Sequence, residues 1–110
     1  MRKHARRVDA NQSIIVSGLR DIGCSVLVVS HVGGEMPDLI VGFRFRTMLL
    51  EVKDGDKPAS ARKLTPHQIM FRASWRGHYA VVKNLDEAIQ AVIEATGDWG
   101  LWKSGNVFSG

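Results

Sequence analysis

Two short apolar runs joined by a two-residue turn constrain this chain more than any other feature. Residues 39–43 and 47–52 are rich in Val, Ile, Leu and Phe, with Arg44 and Phe45 between them. Such runs read as strands, and so short a link predicts an antiparallel hairpin. With the turn at Arg44 and Phe45, Asp38 stands opposite Glu51. Directly opposed side chains share a face, their Cβ atoms about 4.5–5.5 Å apart. Lys53, two residues beyond Glu51, projects from that face too. Leu39, Val41, Phe43, Leu50 and Val52 then line the other face, which suits a core. A slip of one residue would send Asp38 and Glu51 to opposite faces.

Two carboxylates so close repel unless a cation lies between them. A hard divalent ion seeks carboxylate, water and phosphate oxygens, and Mg²⁺ commonly takes few protein ligands. Such an ion acidifies water and offsets charge on a phosphoryl group. A neighbouring ammonium can orient a nucleophile or stabilise a developing oxyanion. Asp38, Glu51 and Lys53 therefore carry the parts that phosphodiester hydrolysis needs. A bare Glu-x-Lys is more often an ordinary ion pair on a strand. The upstream Pro37-Asp38 and the apolar setting shift the reading towards a site, because such a cluster is costly without a function.

The flanking segments complete an α-β-β-β-α-β-α order. Ile14, Ile15, Gly18, Leu19 and Ile22 recur at helical spacing, with Asp9 or Asn11 as a cap and Gly23 as a stop. Residues 24–29 read as a buried strand, and 31–36 as a loop with two glycines. Residues 54–58 are turn or loop. Thr65-Pro66 opens a second helix, with Gln68 at the capping-box position and apolar groups at Ile69, Phe71, Ala73 and Trp75. Gly77 stops it. Residues 79–82 form a fourth strand. Residues 86–95 form an amphipathic helix with Ala88, Ile89, Val92 and Ile93 inward. Three strands followed by an α-β unit predict an α/β domain with a mixed sheet flanked by helices. The expected division is a basic arm (1–8), one domain (9–96) and a tail (97–110) whose Trp99, Leu101, Trp102, Val107 and Phe108 pack on the domain or on a second copy.

With 110 residues, 45% of them hydrophobic, the chain suits a single domain. The formal net charge is +4 and the pI about 9.6, which favours an anionic partner such as nucleic acid. The cations cluster. Arg2, Lys3, Arg6 and Arg7 lie near the N-terminus, and Lys53, Lys57, Arg62 and Lys63 in the middle. Either cluster alone reads equally well as a solvated surface. The one cysteine, Cys24, cannot form an internal disulfide and reads as a small buried hydrophobe. No apolar run is long enough to span a bilayer. A cytoplasmic location follows as an expectation. His4, His31, His67 and His78 are scattered and form no metal set. No nucleotide-binding loop and no serine-nucleophile elbow is present.

Taken together, Pro37-Asp38-Leu39-Ile40, Leu50-Glu51-Val52-Lys53, Leu64-Thr65-Pro66-His67-Gln68 and Trp75-Arg76-Gly77-His78-Tyr79-Ala80-Val81-Val82 resemble the PD-(D/E)xK nuclease superfamily. Within it, they are similar to the small virus-type replication-repair nucleases (VRR-NUC). The resemblance spans residues 9–94. It implies a restriction-endonuclease-like αβββαβ core and a Mg²⁺- or Mn²⁺-dependent DNA endonuclease, in a bacterial or phage-infected cell, acting on branched or flap DNA. It implies Asp38 and Glu51 as metal ligands with the carbonyl of Val52, Lys53 as the catalytic lysine, and Gln68 as a site residue. For Gln68 the capping box and the site role remain equally open. Related nucleases often carry a first-helix glutamate. Here Gln12 holds that position, with Asp9 and Asn11 nearby, so a second ion lacks an acidic ligand. Gln12 could equally face solvent. Arg6, Arg7, Lys57, Arg62 and Lys63 would hold DNA phosphates, and small size with an apolar tail suggests a homodimer. The rival expectation is a non-catalytic nucleic-acid-binding or interaction module on the same fold.

Overall fold

The computed structural model describes residues 10–54 and 63–98. The expectations for the basic arm, Arg6, Arg7, Asp9, Lys57, Arg62 and the apolar tail from Trp99 onwards fall outside the described residues.

The chain folds as an α/β domain. Helix α1 (Ala10–Asp21) leads into β1 (Ser25–Val28) and a single 3-10 turn at Ser30–Val32. The hairpin follows as β2 (Leu39–Phe43) and β3 (Arg46–Val52). Helix α2 (Pro66–Ser74), β4 (His78–Val82) and α3 (Leu85–Thr96) complete it. The four strands lie in the order β1-β2-β3-β4. β1–β2 and β2–β3 are antiparallel, and β3–β4 is parallel. The parallel pair requires a crossover, which α2 and its preceding segment supply.

The hairpin register matches the sequence expectation, with Leu39 opposite Leu50 and Phe43 opposite Arg46. Arg44 and Phe45 adopt φ of 52° and 65°. Positive φ at both central residues is the turn geometry that matches strand twist, even though neither residue is glycine. Leu39, Val41, Phe43, Met48, Leu50 and Val52 enter one core with Ile15, Leu19, Ile89, Val92 and Ile93. Helices α1 and α3 cover this face and touch each other. Fully burying one such side chain stabilises by about 1.5–3 kcal/mol.

Helix α1 ends as expected at Gly23, whose φ is 101°. The N–H of Gly23 donates to Arg20 and that of Cys24 to Leu19, so two end carbonyls gain donors. Cys24 is buried, and burial pushes its thiol up to about 11. Four local expectations need correction. β1 is an edge strand rather than a buried one, with Val26 inward and Leu27 61% exposed. Ile14 points outward at 59% exposure, because the inward stripe of α1 runs through Gln12, Ile15, Val16 and Leu19. Asn11 lies inside α1 and does not cap it; its Nδ2 donates to the carbonyls of Lys53 and Lys83 at 3.3 and 2.9 Å. Helix α2 stops at Ser74 with Trp75 as its C-cap, two residues before Gly77.

Helix α2 lies over the other sheet face but buries none of its own residues. Phe71 stacks on Trp75 (centroids 5.6 Å apart) and packs against Tyr79 (5.9 Å). A groove of about 440 Å³, lined by Val32, Met36, Ile40, Leu49, Phe71 and Trp75 among others, stays open beside it. Among the described residues no helix is long and apolar enough to cross a membrane.

Candidate functional site

The site lies where the open end of the hairpin meets the start of α2. Pro37 is fully buried, which anchors the entry to β2. The carbonyl of Asp38 accepts from the N–H of Val29 at 2.8 Å, tying its backbone to the end of β1. Its side chain turns the other way. Asp38 Oδ2 accepts from the N–H of Val52 at 2.8 Å. In an extended strand the N–H and C=O of one residue share an edge. The Val52 carbonyl therefore also faces Asp38, whereas the next N–H, of Lys53, donates to Val82 on β4.

Glu51 is the buried acid of the set, only 4% exposed. Its Oε2 accepts from Gln68 Nε2 at 2.9 Å and lies 3.5 Å from Lys53 Nζ. Its Oε1 is buried with no hydrogen-bond partner. Burial pushes the Glu51 carboxyl up to about 7, and the neighbouring Asp38 carboxylate adds to this; Lys53 opposes it. The cause is electrostatic. Burial and a like charge both disfavour ionisation, and one ammonium only partly offsets them.

Gln68 joins the two halves of the site. Its Oε1 accepts from the backbone N–H of Thr65 at 2.9 Å while Thr65 Oγ1 accepts from the N–H of Gln68. That is the reciprocal capping box. The same Oε1 accepts from Lys53 Nζ at 3.3 Å, while Nε2 donates to Glu51. One amide thus closes the capping box and contacts both Glu51 and Lys53. The cap fixes the start of α2 and thereby aims Gln68 at the acid–lysine pair.

No protein-family model, curated protein or solved structure matches this chain. The site therefore rests on its own geometry. Asp38, Glu51, Val52, Lys53 and Gln68 come together. Gln12 does not face solvent: it is 6% exposed and donates through Nε2 to Ser30 Oγ at 3.4 Å. It is buried because α1 turns that side to the sheet. Lys63 is exposed, two residues before the Thr65 cap. Among the described residues no group of three or more His, Cys, Asp or Glu side chains is placed to hold a metal ion.

A divalent ion fits what is present at Asp38 and Glu51. Glu51 Oε1 receives no hydrogen bond, and the Glu51 and Asp38 carboxyls are close enough to act on each other beside an inward carbonyl, which makes an all-oxygen donor set of the kind hard cations take.

Two residues near the site were not singled out in the sequence. Tyr79 stands on β4 beside Leu49, on the face that carries Glu51. Its hydroxyl is buried without a partner. Burial raises its pKa, with Glu51 and Asp38 adding and Arg72 opposing. Arg72 sits one turn after Gln68 with its guanidinium 5.9 Å from the Tyr79 ring centre. The four-residue step from Gln68 to Arg72 was legible as a shared helix face. The pairing of β4 with β3 was not, since a crossover register has no local signal.

Proposed function

We propose that this chain is a divalent-metal-dependent nuclease that hydrolyses DNA phosphodiester bonds, on a restriction-endonuclease-like αβββαβ core of the PD-(D/E)xK type. One observation carries the reading. A buried glutamate with a free oxygen lies against a second carboxylate, a lysine and a helix-borne glutamine at the open end of a hairpin. Asp38, Glu51 and the Val52 carbonyl would hold Mg²⁺ or Mn²⁺. When bound, the ion supplies positive charge to phosphoryl oxygens and lowers the pKa of water.

The chain's own groups do the rest. Lys53 reaches the site as an ammonium steadied by Glu51 and Gln68, positioned to orient a nucleophile or balance charge on the phosphoryl oxygens. Gln68 holds Glu51 Oε2 in place and leaves Oε1 for a ligand. Lys63 adds charge at the entry to α2, and Arg6, Arg7, Lys57 and Arg62 are proposed phosphate contacts from the sequence alone. A homodimer and a branched or flap substrate belong to the same proposal.

Cleavage of plasmid and branched DNA with Mg²⁺ tests it, comparing wild type with Asp38→Asn and Lys53→Ala. Each variant should lose at least about 100-fold in rate, the scale of one electrostatic stabilising group. Equal cleavage by all three proteins would remove the site. A non-catalytic nucleic-acid-binding module is the second reading. Gln12 favours it, because the resemblance implies a first-helix glutamate at that position and this chain has a neutral amide that donates to Ser30 instead. Calorimetric titration with Mn²⁺ separates the two: the nuclease binds the ion and the module does not.

A further inference from the structure

The inward side of α2 is not uniform. Gln68 and Arg72 stand four residues apart on α2, as do Phe71 and the C-cap Trp75, so the four fall on neighbouring positions of one side of the helix. Gln68 meets the carboxylates, and Phe71 and Trp75 make the aromatic contact with the sheet. Arg72 places a full positive charge on this side, about 6 Å along the axis from Gln68.

Arg72 is exposed, and among the described residues no carboxylate pairs with it. Its guanidinium instead lies 5.9 Å from the Tyr79 ring centre. Stacking on an aromatic face holds a guanidinium in place without using its N–H donors. The site beneath holds two carboxyl groups, Asp38 and Glu51, against the single ammonium of Lys53. Both acids act on the Tyr79 hydroxyl, and Arg72 acts on it with the opposite sign, so all four groups share one electrostatic neighbourhood. An unpaired, pre-oriented fork of donors at the rim of such a site suits a phosphodiester, which it can bind bidentately.

We propose that Arg72, seated on Tyr79, binds the phosphodiester next to the one lying at Asp38 and Glu51, so that α2 tracks the nucleic-acid backbone away from the reacting bond. Arg72 is the substrate contact, and Tyr79 is its positioning residue. The inference rests on the nuclease reading above.

The test uses the full chain and a short fluorescein-labelled DNA duplex, with Ca²⁺ replacing Mg²⁺. Anisotropy is followed over a salt series for wild type, Arg72→Gln, Arg72→Lys and Tyr79→Leu. Losing one phosphate contact should flatten the log–log salt slope by about 0.9 and weaken binding several-fold at low salt. Arg72→Lys keeps the charge and should restore the slope while regaining only part of the affinity. Tyr79→Leu removes the ring on which Arg72 rests and should weaken binding while leaving the salt slope near wild type, because the charge stays; wild-type affinity in Tyr79→Leu overturns Tyr79 as the positioning residue. An Arg72→Gln slope and affinity equal to wild type, or a slope that Lys fails to restore, overturns the assignment. If wild type binds Mn²⁺ and cuts DNA while Arg72→Gln binds like wild type, the nuclease reading stands and this inference falls. If wild type binds no Mn²⁺ but the Arg72→Gln slope still drops, the phosphate contact stands and the nuclease reading falls.

Discussion

Glu51 sets the behaviour of the site at the scale of single residues. Its carboxyl is pushed from 4.5 up to about 7 by burial and by Asp38. The folded protein therefore holds this proton more tightly than the unfolded chain does. Without metal, that stabilisation is complete below about pH 4.5 and is lost as pH rises through about 7. Melting of the metal-free protein followed from acid to neutral pH should show a fall in stability that Glu51→Gln removes. At the proposed metal site Mn²⁺ would have to displace this proton, so its stabilising effect should grow as pH rises through the same interval. Gln68 supports both a helix cap and Glu51. Gln68→Ala should lower stability by about 1–2 kcal/mol, at the upper end of the range for a lost cap, because a buried acceptor loses its donor at the same time. Urea unfolding measures it. A loss well under that range would mean that the amide serves only one role.

At the scale of elements, the hairpin carries a strain that its sequence does not advertise. Arg44 and Phe45 both occupy left-handed backbone, and Phe45 is fully exposed. Left-handed conformation costs a side-chain-bearing residue about 1–2 kcal/mol. Glycine relieves this but loses about 0.5–1 kcal/mol through greater freedom in the unfolded chain. Phe45→Gly should therefore gain about 0.5–1 kcal/mol in urea unfolding, with no burial lost. The apolar alternation of both strands outweighed poor turn chemistry, which is why the register was readable without an Asn-Gly signal. Helix α2 was readable at its start and not at its end. Thr65, Pro66 and Gln68 act within one turn of chain, whereas Trp75 leaves the helix two residues before Gly77 and sends its indole N–H to the His78 carbonyl. Where Ile14 and Gln12 point was set by how α1 seats on the sheet. A helix with isoleucines at both 14 and 15 allows more than one inward stripe.

Across the whole molecule, α1 and α3 meet so closely that Gly18 has no room for a side chain. A Cβ there would come within 2.4 Å of Leu85 Cδ2. A glycine inside a helix costs about 1 kcal/mol relative to alanine, yet overpacking costs about 1–3 kcal/mol. Leu85 is partly buried against the core, so the clash should prevail. Gly18→Ala should lower stability by about 1 kcal/mol in urea unfolding, whereas a gain would mean that Leu85 moves aside freely. Helix α1 also holds the end of the sheet that bears the candidate site. Asn11 on α1 ties the carbonyls after β3 and β4 together, so the strand end bearing Lys53 is fixed from the core side. A ligand that binds only this folded arrangement stabilises the whole domain. Mn²⁺ at 100 times its dissociation constant should add about 2.7 kcal/mol, an increment that Asp38→Asn should abolish.

The sequence by itself determined the element order, the hairpin register and the meeting of Asp38, Glu51 and Lys53. Each follows from periodicity of two, a turn length or a helix cap, all of which act over a few residues of chain. Only the tertiary structure decided that Gln68 reaches that cluster, that Gln12 is buried on Ser30, and that Tyr79 and Arg72 flank the acids. These depend on the β3–β4 crossover and on how α1 and α2 seat on opposite faces of the sheet. Contacts between segments distant in the chain are fixed by packing, which no local pattern encodes.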